Sequence, residues 1–206
     1  MNRVSFLLAR TLRQEAPIAD LSVPPQRLLN DLAGKRVALV GNARSLVEMA
    51  HGAAIDAADL VIRINRAPMP SPASHGTRTD WLALATSISA QDLQRTGPKR
   101  ILWMSPKRKR LTWNIARSPG FYLHPLPDIQ RLHDRLAAPP TTGLMMIDLC
   151  AASGLGSLTL YGFDFFQSLS LTGSRAAHQV PHDFAAERAY VDALLARDPR
   201  IAIVGR

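Results

Sequence analysis

The sequence predicts a single α/β domain of the Rossmann-like type, with a mainly parallel central sheet flanked by helices. Three observations support this fold class. Strand and helix patterns alternate along the chain, the predicted strands are short, and no stretch of the 206 residues is rich enough in Pro, Gly and Ser to link two domains. We therefore expect one domain over residues 1–206, with an N-terminal helical extension at 1–30 and a core at 36–206.

The predicted strands are short runs bounded by turn residues, and the clearest of them, at 37–40, is continuously apolar, as expected of a strand buried on both faces of a parallel sheet. Seven segments are predicted as strands: 37–40, 60–64, 81–85, 101–104, 120–123, 157–161 and 201–204. Between them, the sequence predicts helices at 45–51, 90–94, 128–136, 143–152 and 183–196. The order of these elements is that of an α/β domain.

Composition narrows the class of protein. Hydrophobic residues make up 47% of the chain and charged residues 20%, which is typical of a globular protein. Cys150 is the single cysteine, so it cannot form an intrachain disulfide, and we expect a cytoplasmic protein. The net charge of +9 fits three kinds of partner: nucleic acid, an anionic membrane surface or an acidic small substrate.

Two basic segments bear on these partners. Residues 107–110 form the densest basic cluster, but few aromatic residues are interleaved with it and no nucleic-acid motif surrounds it, so we interpret it as a solvated loop. Residues 1–13 predict an amphipathic helix with an apolar run too short to span a bilayer. This helix either packs on the domain or lies on the inner face of an anionic membrane.

Two asparagines follow predicted neighbouring strands. Gly41 and Asn42 come directly after the strand at 37–40, and Asn65 ends the next one. Because ligands of open α/β sheets bind beyond the carboxyl ends of the strands, we expect both amides there, suited to phosphate and ribose, with Gly41 allowing close backbone approach to the ligand. Alternatively, Gly41-Asn42 forms an ordinary turn and Asn65 caps one.

A second segment places polar groups at a helix mouth. Two prolines precede Thr141, Thr142 and Gly143, so these three residues form a turn at the mouth of the helix predicted at 143–152. Unpaired N–H groups, two hydroxyls and the positive end of the helix dipole suit a phosphate or a carboxylate. Simple N-capping by one of the threonines explains the same residues.

The best candidate for catalysis follows later. His182 precedes Asp183, a good N-cap, so we expect its imidazole just outside a helix and near the crevice, where it can accept a proton from a hydroxyl. His178 is the candidate for stabilising charge on a departing phosphate. The sequence has no Cys/His ligand pattern, no Asp-X-Asp after a strand and no triphosphate-binding motif. We therefore expect neither a metal ion nor a cofactor.

Together these residues resemble the sialyltransferases of glycosyltransferase family 29. Residues 39–42 and 62–68 resemble the large sialyl motif, residues 140–143 through 161–163 the small motif, and His182 with Glu187 the very small His-x4-Glu motif. The resemblance implies a variant GT-A-like fold and inverting, metal-independent transfer of sialic acid, or of a related acidic sugar such as Kdo, from a CMP-sugar donor to a hydroxyl of a glycan or lipid-linked glycan. The compact, disulfide-free form of this chain suggests a bacterial enzyme that builds a surface glycan.

The resemblance assigns roles by position. Asn42 and Asn65 would bind CMP, and His182 would be the base. The nucleotide and the sugar carboxylate would be bound by Thr141, Thr142 and Gly143. Two other hypotheses remain open: a degenerate protein that binds a CMP-sugar without transferring it, and a basic nucleic-acid-binding module that shows no preference for CMP.

Overall fold

The computed structural model describes residues 1–165, 171 and 181–205. A seven-stranded sheet forms its centre, and every pair of neighbouring strands is parallel. The strands are β1 (Arg36–Val40), β2 (Leu60–Ile64), β3 (Trp81–Leu84), β4 (Arg100–Trp103), β5 (Tyr122–Leu123), β6 (Ser157–Tyr161) and β7 (Ile201–Val204). The predicted α/β class is confirmed, and all seven predicted strands are present.

The strand order is β5-β4-β3-β2-β1-β6-β7. The chain runs outward from β1 to β5 and then returns to place β6 on the other side of β1. The order of the sheet therefore reverses between β1 and β6. In open α/β sheets, a crevice for ligands forms at such a reversal, outside the carboxyl ends of the strands.

Ten α-helices lie in the described ranges, and most of them connect consecutive strands. They are α1 (Arg3–Thr11), α2 (Glu15–Ala19), α3 (Pro25–Leu32), α4 (Gly52–Asp56), α5 (Pro72–His75), α6 (Ala90–Thr96), α7 (Trp113–Ala116), α8 (Leu126–Leu136), α9 (Thr142–Ala151) and α10 (Phe184–Arg197). None of these described helices has both the length and the apolar character needed to cross a bilayer.

Two short 3-10 helices accompany them, at Arg44–Glu48 and Arg108–Arg110. The first one corrects the prediction of an α-helix at 45–51. The helix ends at Glu48 because Met49 is extended, with φ −111° and ψ 145°.

Side chains of successive residues in β1 point into different parts of the core. Val37 and Leu39 belong to a large cluster that also contains most of α9, whereas Ala38 and Val40 pack in a smaller one on the opposite face. Helix α9 is buried from its first residue to Cys150, so its N-terminus is fixed tightly against the sheet. This rigid helix positions the turn that precedes it.

Candidate active site

Two glycines bring the chain into close contact at the reversal of the sheet. The N–H of Gly41, just after β1, donates to the carbonyl of Tyr161 at 2.7 Å, and the N–H of Ala43 donates to the carbonyl of Gly162 at 3.2 Å. A Cβ atom on Gly41 would lie 2.3 Å from the Gly162 oxygen. Gly162 has φ +67°, a conformation that favours glycine.

This contact corrects the reason given for Gly41. The residue was predicted to let a ligand approach the backbone, but the space where its Cβ would lie is occupied by the Gly162 carbonyl. The glycine is needed because two strand ends meet there. Its contribution to a ligand site is therefore to set the position of the following residue, Asn42.

The ring of Phe163 joins the first and second sequence segments. One edge lies 3.2 Å from the position of a Cβ on Gly41, and another lies 2.8 Å from that of a Cβ on Gly143. Gly143 is thus required for the packing of Phe163 on the first turn of α9. Through this ring, the end of β1, the end of β6 and the N-terminus of α9 meet at one place.

The two predicted asparagines link the ends of β1, β2 and β3. Asn42 is buried, and its Nδ2 donates to the carbonyl of Ile64 at 3.3 Å. Asn65 has φ +53°, which Asn tolerates better than most residues. Its Oδ1 accepts from the N–H of Ala85 at 3.1 Å. Within the described chain, Oδ1 of Asn42 and Nδ2 of Asn65 have no hydrogen-bond partner, so each amide makes one side-chain bond and has one polar group without a partner there.

Thr141 is the N-cap of α9, and both hydrogen-bond donors of Thr141 are bound to the carboxyl group of Glu187. The Thr141 N–H donates to Oε1 of Glu187 at 2.6 Å and its hydroxyl donates to Oε2 at 2.7 Å. The same hydroxyl oxygen accepts from the N–H of Leu144 at 3.1 Å. Thr141 therefore positions the turn, and the ligand contact expected of its hydroxyl stays a prediction.

The next two residues retain the donors that the sequence predicted. The N–H groups of Thr142 and Gly143 belong to the first turn of α9, where no preceding carbonyl of the helix can accept from them. They lie at the positive end of the helix dipole, which favours an anion. Thr142 is buried, so its position is fixed by packing.

The Glu187 carboxyl group is buried, and no cation of the described residues pairs with it. Burial raises its pKa to about 7, although the hydroxyl and the N–H of Thr141 act in the opposite direction. Glu187 lies in the first turn of α10, 46 positions from Thr141 along the sequence. Its carboxyl group therefore joins α10 to the mouth of α9.

His182 lies just outside α10, as predicted, because Asp183 is the N-cap and accepts from the N–H of Ala186. Nδ1 of His182 is 2.7 Å from the carbonyl oxygen of Pro139. A carbonyl oxygen only accepts, so Nδ1 carries the hydrogen in the neutral ring and Nε2 carries the lone pair. The ring is half-exposed, and Nε2 is the atom that can accept a proton.

His182 and Glu187 thus hold two points of the same turn, at Pro139 and Thr141. The three sequence segments converge at the carboxyl ends of β1 and β6, as the sequence predicted. His178 lies outside the described residues. Within the described ranges, no group of three His, Cys, Asp or Glu side chains is arranged to hold a metal ion.

Comparison with known proteins agrees with this arrangement. The family model described as glycosyltransferase family 29 (sialyltransferase) matches residues 9–116, which is just over half of the chain. The chain belongs to glycosyltransferase family 29. The predicted dependence on a CMP-sugar accords with this membership, and the predicted resemblance is confirmed.

Solved structures share the fold of this family 29 enzyme. A mammalian sialyltransferase in complex with Gal-β-1-3GalNAc-ortho-nitrophenol has 20% sequence identity and a TM-score of 0.66, with coverage of 99% of this chain and 86% of the other. The Campylobacter jejuni sialyltransferase CstII in complex with cytidine-5′-monophosphate has 17% identity and a TM-score of 0.58, with coverage of 84% and 80%. No curated protein sequence gives a significant match.

Sequence reasoning missed two features of the family 29 site. Phe163 was noted only as part of a motif, and the burial of Glu187 against Thr141 was not predicted. The positions of three glycines could have indicated close packing here. Gly41 and Gly162 follow buried strands, and Gly143 lies at the start of the buried helix α9. Their shared neighbour, the Phe163 ring, is visible only in three dimensions.

Proposed function

We propose that this chain transfers sialic acid, or a related acidic sugar such as Kdo, from a CMP-sugar to a glycan hydroxyl, with inversion at the anomeric carbon and without a metal ion. The observation that carries this proposal is the 2.7 Å contact between Nδ1 of His182 and the Pro139 carbonyl, which leaves Nε2 as the proton acceptor. Family membership supplies the class of reaction.

In the proposed reaction, Nε2 of His182 accepts the proton of the acceptor hydroxyl as its oxygen attacks the anomeric carbon. The bond between that carbon and the phosphate oxygen of CMP breaks, and its electron pair leaves with the phosphate. A single displacement from the opposite face inverts the configuration. Each bond formed is matched by one bond broken, so the step needs no further reactant.

The charge on the departing phosphate needs donors that are already in place. The N–H groups of Thr142 and Gly143 at the positive end of α9 are suited to this task, because they are fixed and lack partners in the helix. The remaining groups on Asn42 and Asn65 are suited to the ribose or base of CMP. These assignments are part of the proposal.

The acceptor we propose is a glycan, either free or lipid-linked. Solved sialyltransferases of this fold were obtained with CMP and a trisaccharide acceptor, and with a Gal-β-1-3GalNAc derivative. These complexes support a crevice that takes a nucleotide and a sugar together. The linkage formed depends on acceptor contacts that differ between members of a fold.

A transfer assay in the presence of EDTA tests the proposal. The protein is incubated with CMP-sialic acid or CMP-Kdo and with Gal-β-1-3GalNAc-ortho-nitrophenol, and CMP release and the product anomer are measured. We expect CMP release that EDTA does not change and a product of inverted configuration. Activity restored only by a divalent cation would refute metal independence, and binding of CMP-sugar with no CMP release would identify a binding protein.

A further inference from the structure

Helix α1 has two apolar faces, and only one of them packs on the domain. Phe6 and Ala9 are buried, and the ring centroids of Phe6 and Trp113 are 5.4 Å apart. On another face, the side chains of Val4, Leu8 and Leu12 are 66%, 58% and 64% exposed. These three residues are four apart, so they form one row along the helix, which we call the outer stripe.

The outer stripe is unusual for this molecule. Five of the seven large hydrophobic residues that are exposed in the described chain lie within residues 1–12. Single exposed apolar residues are common on protein surfaces, whereas a contiguous row of them marks a surface that binds something. Packing against the core explains Phe6 and Ala9 but leaves the outer stripe unexplained.

A basic turn lies beside this helix. Nη1 of Arg10 donates to the carbonyl of Leu111 at 2.8 Å, which holds α1 against the 3-10 helix Arg108–Arg110. Arg108 is buried and paired with Glu15, with Nη2 and Oε1 2.6 Å apart. The three other cations of this cluster are exposed, and we call them the basic turn: Lys107, Lys109 and Arg110.

Acidic residues are missing from both neighbouring segments of the sequence. Residues 1–13 contain Arg3, Arg10 and Arg13 with no Asp or Glu, and residues 99–127 contain none either. Glu15, the first carboxylate after residues 1–13, is committed to Arg108. Among the described residues, no ion pair joins a carboxylate to Arg3, Arg10 or Arg13 or to the basic turn, so the surface combines an exposed aliphatic row with positive charge.

We propose that the outer stripe and the basic turn dock this protein on an anionic lipid bilayer. Aliphatic side chains of an interfacial helix insert between lipid headgroups, and nearby cations are attracted to anionic lipids. A second copy of the chain would bring like charges together. Nucleic acid would contact the cations but would leave Val4, Leu8 and Leu12 in water. The bilayer is the occupant that uses both parts.

Vesicle co-sedimentation of the full chain tests this proposal. The vesicles contain phosphatidylcholine alone or phosphatidylcholine mixed with phosphatidylglycerol, each at low and high salt. We expect binding to the anionic vesicles that is about tenfold tighter or more, and that weakens as salt rises. Equal binding to both kinds of vesicle, or none to either, would overturn the proposal.

Two triple variants and matched controls locate the surface. Val4→Ser/Leu8→Ser/Leu12→Ser and Lys107→Ser/Lys109→Ser/Arg110→Ser should each weaken binding by about tenfold or more. An apolar control, Val47→Ser/Leu126→Ser, changes exposed residues elsewhere, and Arg27→Ser/Arg135→Ser/Arg197→Ser removes equal charge. Loss of binding in the controls to the same extent would place the contact elsewhere. A wild-type dimer that the apolar triple variant dissociates would show a protein interface instead.

Discussion

The two ends of the strands are held together by different interactions. We call the side of the sheet at the amino ends the amino edge and the side at the carboxyl ends the carboxyl edge. At the amino ends of the strands, ion pairs predominate: Arg36 with Asp59, Asp80 with Arg78 and Lys99, Arg100 with Asp31, and Asp198 with Arg200. At the carboxyl ends, the contacts are backbone approaches between glycines, amide hydrogen bonds and the neutral donors of Thr141. The amino edge has these charges paired, whereas the carboxyl edge has donors without a partner among the described residues.

Two buried carboxyl groups show the consequence. Burial alone would raise the pKa of Asp80, but the Val61 N–H and the Lys99 and Arg78 cations hold it below its ordinary value. Burial raises the pKa of Glu187 to about 7, because no cation of the described residues pairs with its carboxyl group and only the neutral donors of Thr141 oppose the shift. A paired carboxylate stabilises the fold. A carboxyl group without a cation is the kind of group found at functional sites.

Substitution of His182 should give the largest effect. His182→Ala removes the proposed base, so we expect the rate of transfer to fall by about 10²- to 10⁴-fold, the range typical of general bases. The thermal stability should change little because the ring is half-exposed. Initial rates of CMP release with acceptor, together with a melting curve, check both parts. Unchanged rates would show that another group accepts the proton.

Gly41→Ala should be the most damaging substitution for stability at the carboxyl edge. The new Cβ would lie 2.3 Å from the Gly162 carbonyl oxygen, and since both sides are backbone, the strand ends must separate. We expect a loss of about 3 kcal/mol in the free energy of unfolding. Gly154→Ala is the control, because its Cβ would meet only the Ala33 side chain at 3.9 Å. Similar denaturation midpoints for the two variants would contradict the close approach.

Glu187 should make stability depend on pH in a specific window. The folded protein holds the proton at pH values where the unfolded chain, with a pKa near 4.5, has lost it. Glu187 therefore makes its full stabilising contribution to the free energy of unfolding below pH 4.5. This contribution is lost as the pH rises to about 7, and the free energy does not change further above that pH on account of Glu187. Between wild type and Glu187→Gln, the difference in unfolding free energy should fall by at most about 3 kcal/mol across this window. Urea denaturation at several pH values measures it, and a flat difference would refute the raised pKa.

Asp80 should behave in the opposite sense at the amino edge. Asp80→Asn loses the charge that binds Lys99 and Arg78, so we expect a loss of about 2 kcal/mol at neutral pH. Because the pKa of Asp80 is lowered, this difference should shrink as the pH falls through the lowered pKa. The rate of transfer per folded molecule should stay near that of wild type. A marked fall in that rate would mean that the two edges are not functionally separate.

The fold could be predicted largely from apolar runs. Residues 37–40 are all apolar and buried, and the strand Leu60–Ile64 is buried throughout, with Arg63 as its one charged residue. Helices of four or five residues, such as Pro72–His75 and Trp113–Ala116, were missed because one turn gives no periodicity. The segment 45–51 was predicted as an α-helix for the same reason, but the structure has a 3-10 helix at Arg44–Glu48.

The site could be predicted only in part. The caps of α9 and α10 were predicted because capping is local: Thr141 and Asp183 each accept from an N–H three residues on. The bond between Thr141 and Glu187 joins residues 46 apart, and nothing local encodes it. The role of Gly41 was misjudged because its neighbour, Gly162, arrives from a distant strand.

A calorimetric titration of CMP in the presence of EDTA tests most directly whether the carboxyl edge binds the nucleotide of the CMP-sugar. Asn65→Gly is the informative variant, because glycine keeps the positive φ of +53° while removing the amide. Asn114→Ala, on the exposed surface of α7, is the control. We expect wild type and control to bind CMP about tenfold more tightly than UMP, GDP or ADP, and Asn65→Gly to lose about tenfold in CMP affinity. No preference for CMP, or equal affinity in all three proteins, would contradict this account of the site.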